Sequence, residues 1–141
     1  MLITAAKSLL YHTLVDDVYF LIEDDAFPDH PDLPDICHCV NVRNQDIFSP
    51  SGPNINHYYS YMTLMRAALS KVIPDRDTVL LLDPDTIVVD EIAPIWNFDI
   101  QYHYFAAVPE TRNNDHTHKP YYNAGVMLMN LQKMRDDGID L

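Results

Sequence analysis

The chain has 141 residues, a length that suits one domain with a real core but is small for an enzyme with two substrates. Acidic residues outnumber basic residues by 21 to 9, and the net charge of −12 excludes nucleic acid and anionic membrane surfaces as expected partners. An anionic ligand would therefore need a metal ion or individually placed cations in its site.

Cys37 and Cys39 are the only cysteines, and one residue separates them. So short a loop would strain a disulfide between them, and we therefore predict a reduced, cytoplasmic protein. A zinc site with these thiols and a distant histidine is an alternative, although two cysteines without a second ligand pair match zinc spacings poorly. We also expect no signal peptide and no membrane span.

Hydrophobic spacing in the first half of the chain predicts helices alternating with strands. In chain order these are a helix over 2–14, strands over 18–22 and 36–42, and a helix over 56–72. Asn54 or Asn56 can cap the second helix, and Pro74 ends it. Residues 26–35 and 43–55 predict irregular loops. This alternation is typical of an α/β fold.

The second half of the chain continues the pattern. It predicts a strand over 78–82, a helical turn within 91–98, strands over 102–108 and 121–130, a polar loop over 109–120, and a helix over 131–137. Trp96 is expected to anchor the core, and Gly138 to end the last helix. Gly125, inside a strand, indicates close approach by a ligand or another backbone.

The central stretch TVLLLDPDTIVVD places two carboxylates directly after a strand. Its apolar run predicts a strand covered on both faces, in a parallel or mixed sheet, and Pro84 should end its pairing. In an extended chain Asp83 and Asp85 would point to the same side and repel each other, which is costly near a core unless a cation or several donors compensate.

Two interpretations of Asp83 and Asp85 stay open from the residues alone. The pair can cap a turn between two strands, since Asp and Pro are common turn residues. Alternatively, it can form a site for magnesium, manganese or calcium at the carboxyl end of a strand, where open α/β sheets bind their ligands. Arg66, in the preceding helix, would by itself be interpreted as a residue on a solvated face.

Five segments together resemble the family 8 glycosyltransferases, which include glycogenin and bacterial lipooligosaccharide galactosyltransferases. They are AAKSLL at 5–10, VYFLIEDD at 18–25, SYMTLMRAAL at 60–69, VLLLDPDTIVV at 79–89 and YYNAGVMLMNLQKMR at 121–135. An Asp-x-Asp pair alone is a weak signal. Preceded by an arginine on the leading helix and followed by the Asn-Ala-Gly strand, it is a strong one.

The resemblance implies a GT-A-like fold, with a Rossmann-type mixed sheet flanked by helices, as a single partial domain over residues 1–141. It implies retaining transfer of a hexose from a UDP-sugar to a glycan, a lipid-linked sugar or another acceptor, with Mn²⁺ or Mg²⁺. By the same resemblance Asp83 and Asp85 hold the metal and Arg66 lies near the donor. Asn123 and Gly125 match the sugar-binding face, and Asp83, Asp85 and Asn123 form the implied catalytic set. Without the family, Asn123 would be interpreted as a buried, satisfied amide.

The sequence also departs from the family pattern. Family members carry a strand with an acidic pair before the Ala-Ala-Lys-Ser helix, and later an acidic, glutamine-containing motif and a histidine that completes the metal shell. We expect all three to be missing from residues 1–141, which should leave unpaired strand edges and an inactive or weakly active isolated chain. His116 and His118 precede the Asn-Ala-Gly strand, so we assign them to a loop, with metal ligation as an alternative.

Two other functions remain as alternatives. One is a non-catalytic, transferase-like domain that binds a nucleotide-sugar or a partner. The other is a phosphatase of the haloacid dehalogenase type, although Thr86 follows Asp85 directly where that class leaves a residue between the two. The donor sugar, the acceptor and the oligomeric state stay open, and no side chain identifies itself as a nucleophile or base.

Overall fold

The computed structural model describes residues 1–24, 33–49, 51–52, 60–110 and 121–139. In chain order its elements are α1 Leu2–His12, β1 Val18–Ile22, β2 Cys37–Asn41, α2 Tyr61–Met65, α3 Leu69–Val72, β3 Thr78–Leu82, β4 Phe105–Glu110, β5 Tyr121–Asn130 and α4 Leu131–Asp136. Short 3₁₀ turns occupy Arg66–Ala68 and Ala93–Asn97. The predicted strands and helices are present, while most of the proline-rich loop, the caps Asn54 and Asn56, and the loop with His116 and His118 lie outside the described residues.

The strands form two separate sheets. β1 and β2 pair in parallel with Val18 opposite Cys37, and β3, β5 and β4 form an antiparallel sheet in that order with Leu80 opposite Leu128. Parallel and antiparallel pairings therefore both occur, as a mixed α/β architecture requires. Among the described strands, β1 pairs only with β2 and β3 only with β5, so each keeps one unpaired edge, as expected from the sequence.

One helical layer, formed by α2, the 3₁₀ turn and α3, covers both sheets. Leu69 and Ile73 pack against Met127 and Met129 of β5, and side chains of both β1 and β3 pack against the same cluster. Towards the other sheet, Met65 contributes to a second cluster that includes Val42 and Val40 beside β2. Because no backbone ladder joins the sheets within the described chain, this buried apolar surface holds them together.

Local chemistry explains where this layer begins and ends. The Ser60 hydroxyl accepts a hydrogen bond from the Met62 N–H and caps α2. Ser60 itself has extended backbone angles, so the predicted unbroken helix from residue 56 to residue 72 is wrong at its start. It is also interrupted at Arg66–Ala68, where the helix tightens to 3₁₀ geometry. The layer ends at Ile73, next to Pro74, as predicted.

Burial differs from the prediction in three places. β3 is only half-buried along most of its length, and among the described strands it pairs with β5 alone, so the full burial expected on both faces is wrong. Trp96 is 42% exposed in its 3₁₀ turn and does not anchor the core. β5 is exposed from Tyr121 to Ala124 and becomes buried only from Met127 onward, where β3 and the helical layer cover it.

A polar network joins the two sheets at the amino ends of β1, β2 and β3. The Arg76 guanidinium, in the turn before β3, donates to the Asp17 carboxylate and, at 3.1 Å, to the Tyr19 hydroxyl of β1. The other Asp17 oxygen lies 2.7 Å from the His38 Nε2 of β2. Nearby, Arg135 of α4 donates to the Asp77 carboxylate at 3.0 Å. These directional contacts fix how the two sheets are aligned, which apolar packing alone would not do.

In the described residues, no helix has both the length and the hydrophobicity needed to span a lipid bilayer.

The dependence of both sheets on one helical layer predicts the effect of a cavity there. Leu69→Ala should lower the free energy of unfolding by about 2–5 kcal/mol, because Leu69 is 2% exposed and packs against β5. Urea denaturation followed by circular dichroism measures the change. The same truncation at Leu14, which is 97% exposed, should change it by less than about 0.5 kcal/mol. Equal effects of the two substitutions would contradict this account of the layer.

Candidate functional site

The candidate site begins where β3 ends. The Asp83 N–H donates to the Gly125 carbonyl of β5 at 2.7 Å and extends the β3–β5 ladder by one residue. The Asp83 carbonyl then accepts from the Thr86 N–H at 3.1 Å and from the Thr86 hydroxyl at 2.7 Å, which closes a four-residue turn. Asp85 is exposed on this turn. The turn offered as one interpretation of Asp83 and Asp85 is therefore present. The two residues do not lie in an extended chain, because the turn takes over where Pro84 stops the ladder.

Arg66 lies beside the end of β3 and bridges it to β5. Its guanidinium donates to an Asp83 carboxylate oxygen at 3.2 Å and to the Ala124 carbonyl. The side chains of Arg66 and Asp83 are 24% and 39% exposed, so the pair is partly screened by water. The interpretation of Arg66 as a residue on a solvated face is wrong, since the guanidinium turns toward the ends of β3 and β5.

One nitrogen of this arginine has no hydrogen-bond partner among the described residues. Arg66 Nε is buried, and its N–H meets no acceptor in that part of the chain. A buried donor without a partner costs about 1–3 kcal/mol, and such a group in a native protein calls for an explanation. The two remaining branches of the guanidinium are engaged, so the fork is held in one orientation.

Gly125 makes room for the Asp83 side chain. A Cβ at this glycine would lie 2.8 Å from Asp83 Oδ2 and 3.2 Å from Asn123 Oδ1. A close approach does occur at this glycine, but the group that approaches is the Asp83 side chain and not the ligand or backbone that was predicted. Asn123 is exposed, and its Oδ1 accepts from the Gly125 N–H at 2.8 Å. The interpretation of Asn123 as a buried amide is wrong, because β5 is exposed from Tyr121 to Ala124 and no described element covers this part of it.

A bulge shapes this part of β5. Ala107 of β4 lies opposite Met127, but Pro109, only two residues on, lies opposite Tyr122. The residues Asn123, Ala124 and Gly125 therefore belong to a stretch of β5 that is longer than the part of β4 it faces. Bulges of this kind redirect side chains and backbone groups and are common next to active sites. Here the bulge presents the Ala124 carbonyl to Arg66.

The donor atoms at this edge are suited to a hard divalent cation. Asp83 and Asp85 offer two carboxylates, and magnesium-type sites use one or two carboxylates together with substrate phosphates and water. Within the described ranges, no group of three or more His, Cys, Asp or Glu side chains surrounds a common point. The remaining ligands would therefore come from a phosphorylated ligand, from water or from residues outside those ranges, such as His116 and His118.

The thiols of β2 form a different environment. Cys37 is half-buried, Cys39 is exposed, and neither forms a disulfide. Burial raises the pKa of the Cys37 thiol, and the nearby Cys39 raises it further. A raised pKa disfavours the thiolate that zinc requires, and the described part of the chain supplies no third ligand. The structure thus gives the zinc alternative no support.

Two residues of this edge were missed by sequence reasoning. The Tyr61 hydroxyl at the start of α2 donates to the Glu23 carboxylate, which directly follows β1. Tyr61 is 7% exposed, and burial together with this hydrogen bond raises the pKa of its hydroxyl to about 12. The acidic residues after β1 were visible in the sequence, but Tyr61 fitted the helical apolar pattern and was assigned only to the core.

Comparison with known proteins places this geometry in a family. A family model described as glycosyl transferase family 8 matches residues 5–140. The chain belongs to this family. The match therefore confirms the resemblance stated from the sequence and leaves the phosphatase alternative without a basis.

Relatives with similar sequences carry related names. Glycosyltransferase GlyF of Streptococcus pneumoniae serotype 4 is 30% identical over 144 residues, which cover 96% of this chain and 35% of that protein. A putative glycosyltransferase of Haemophilus influenzae is 31% identical over 97 residues, or 62% of this chain and 29% of that protein. The family 8 chain described here thus spans about a third of the length of these relatives.

Solved structures show the fold of the family. An active-site mutant of LgtC superposes with a TM-score of 0.75 and 25% identity, over 96% of this chain and 54% of that one. Galactosyltransferase LgtC in complex with donor and acceptor sugar analogues gives a TM-score of 0.57 at 28% identity, over 74% of this chain and 41% of that one. GlyE of Streptococcus pneumoniae, at 22% identity and a TM-score of 0.61, covers 99% of this chain and 33% of GlyE. The predicted GT-A-like fold is confirmed.

The space at Gly125 predicts the effect of one added methyl group. Gly125→Ala should displace the Asp83 carboxylate, because the new Cβ would lie 2.8 Å from its Oδ2. We expect binding of Mn²⁺, measured by isothermal titration calorimetry, to weaken at least about tenfold. Ala124→Ser, which adds one atom to the adjacent residue, is the control. Unchanged Mn²⁺ affinity in a folded Gly125→Ala variant would contradict the role of this glycine.

The tyrosine at the start of α2 predicts a pH dependence of stability. The pKa of Tyr61 is raised from 10.0 to about 12, so the folded state keeps a proton that the unfolded chain loses above pH 10. The stabilisation is complete below pH 10 and is lost between pH 10 and pH 12, by about 2–3 kcal/mol. Urea denaturation across this window should show a smaller loss for Tyr61→Phe than for wild type. Tyr11→Phe, at an 85% exposed position, should follow wild type.

Proposed function

We propose that this chain is the donor-binding part of a retaining hexosyltransferase. Its donor is a UDP-sugar, and its acceptor is a glycan, a lipid-linked sugar or another hydroxyl-bearing molecule. The observation that carries the proposal is the meeting of Arg66 and Asp83 beside Gly125, at the end of β3, in a family 8 chain. Residues 1–141 act as one partial domain in this proposal.

Each residue of the site has a role in this proposal. Asp83 and Asp85 would hold Mn²⁺ or Mg²⁺, which would supply the positive charge that the leaving nucleotide needs. Arg66 adds a fixed cation beside that charge. Gly125 keeps the face of β5 open to the donor. The exposed Asn123 amide, whose oxygen accepts a hydrogen bond from the Gly125 N–H, offers its NH₂ to sugar hydroxyls.

The charge of the site supports a phosphorylated donor bound with a cation. Two carboxylates and one guanidinium leave the edge negative, in a chain whose net charge is −12. A diphosphate alone would be repelled, whereas a diphosphate with a divalent cation balances these charges. We therefore expect the metal and the donor to bind cooperatively.

A second candidate is a transferase-like domain that binds a nucleotide-sugar without transferring it. It is favoured by one observation: among the described side chains, the two carboxylates are joined by no third protein ligand. A cytoplasmic location stays a prediction from the two reduced cysteines.

Substitutions that remove one negative charge each test the metal site. Asp83→Asn and Asp85→Asn should each weaken Mn²⁺-dependent binding of UDP-galactose or UDP-glucose by at least about tenfold, since residues that merely support metal ligands change affinity by that much. Isothermal titration calorimetry at fixed ionic strength gives the affinities. Asp75→Asn is the control, because Asp75 is exposed, as Asp85 is, but precedes β3 at the opposite end of the strand.

The two candidates differ in turnover. Release of UDP that requires Mn²⁺ and is lost in Asp83→Asn supports the transferase, whereas donor binding without release supports the second candidate. If the wild-type chain binds neither donor in the presence of Mn²⁺, both candidates fail.

A further inference from the structure

The helix α2 is tied to a different sheet at each of its ends. The hydroxyl of its first residue, Tyr61, donates a hydrogen bond to Glu23, which directly follows β1 of the two-stranded sheet. Arg66, immediately after its last residue, bonds to Asp83 and to the Ala124 carbonyl, in the three-stranded sheet. The two ties are five residues apart, about 7.5 Å along a helix.

The segment between these ties is packed into the core at both of its ends. Met65 is completely buried, and Tyr61 and Met65 belong to the same apolar cluster. A rotation or shift of the first turn would therefore carry the last turn with it, because close-packed side chains transmit such displacements. The 3₁₀ tightening at Arg66–Ala68 follows directly and sets the direction in which the arginine leaves the helix.

We propose that the Tyr61–Glu23 hydrogen bond is a positioning device for Arg66: it anchors α2 to β1 and thereby holds the guanidinium against Asp83 and Ala124. Tyr61 and Glu23 are positioning residues in this sense, since they act through Arg66. The importance of the device for donor binding rests on the proposed function. The placement of Arg66 itself does not.

The unusual state of Arg66 makes this positioning necessary. Its Nε is buried without an acceptor among the described residues, and its ion pair with Asp83 is partly exposed at 3.2 Å. A partly exposed pair contributes about 0–1 kcal/mol and the hydrogen bond to the Ala124 carbonyl about 0.5–1.5 kcal/mol, which together do little more than offset a buried donor without a partner. The position of the arginine therefore depends on how firmly the surrounding structure holds the helix, and the tie to Glu23 supplies part of that restraint.

The first experiment observes Arg66 directly and uses no donor. In protein labelled with ¹⁵N-arginine, the signal that disappears in Arg66→Lys is the Nε–H of Arg66. Tyr61→Phe removes one hydroxyl and keeps the ring in its cluster. We expect this signal to shift and its hydrogen exchange to accelerate by about 3- to 30-fold.

Changes at Glu23 separate positioning from core packing, because Glu23 is exposed. Glu23→Gln keeps an oxygen that can accept the Tyr61 hydrogen bond and should restore a signal close to wild type. Glu23→Ala should reproduce the effect of Tyr61→Phe. These two variants also serve if Tyr61→Phe fails to fold.

The matched control deletes the same kind of hydrogen bond elsewhere. The Tyr104 hydroxyl donates to Asp137 at 2.9 Å, beside α4 and away from the site. Tyr104→Phe should leave the Arg66 signal unchanged, whatever it does to stability. An Arg66 signal that is the same in wild type, Tyr61→Phe and Glu23→Ala would overturn the proposal, as would an equal response in Tyr104→Phe.

A double-mutant cycle then connects the device to the donor. If Tyr61 acts through Arg66, Tyr61→Phe should weaken Mn²⁺-dependent UDP-sugar binding about 3- to 30-fold in wild type and have little further effect in Arg66→Lys. Additive effects would overturn the positioning role. If the wild-type chain binds no UDP-sugar, the proposed function fails while the Arg66 signal still decides the present proposal.

Discussion

The burial of one apolar helical layer against two sheets is the constraint on which the rest of this structure depends. In the described residues β1–β2 and β3–β5–β4 share no backbone hydrogen bonds, so their relation is set by side chains that pack beneath α2 and α3. Leu69 and Met65 are buried on the two sides of this layer. Hydrophobic burial is strong but has no preferred direction, and it fixes the distance between the sheets better than their alignment.

Polar contacts supply the missing alignment at both edges. At the amino ends of the strands, Arg76 bonds to Asp17 and Tyr19 of the other sheet. At the carboxyl ends, α2 makes the connection through Tyr61 and Arg66. The first edge is closed by ion pairs among the protein's own residues. The second edge contains a carboxylate turn, a strand bulge and a buried arginine nitrogen that has no partner among the described residues. It is therefore the edge suited to a ligand.

How much could be predicted from the sequence depended on the range of the interactions involved. Apolar runs located the strands, and the scarcity of glycine indicated the close approach at Gly125, because these features depend on local pattern. The 3₁₀ interruption and the exposure of Trp96 could not be predicted, since each depends on which segments lie nearby in three dimensions. The turn from Asp83 to Thr86 was one of the two interpretations that the sequence left open. The Tyr61–Glu23 hydrogen bond joins residues 38 positions apart, and nothing in the helical pattern around Tyr61 indicated it.

The chemistry of arginine explains why this edge is built around one guanidinium. Its planar fork bonds to the carboxylate that follows β3 and to a carbonyl of the β5 bulge at the same time. It therefore fixes the relative position of the two strands and also neutralises charge. A lysine could balance the charge of Asp83 but could not fix both partners in one plane. The electrostatics of the site and the packing of the helical layer are therefore coupled through a single side chain: a shift in either changes the other.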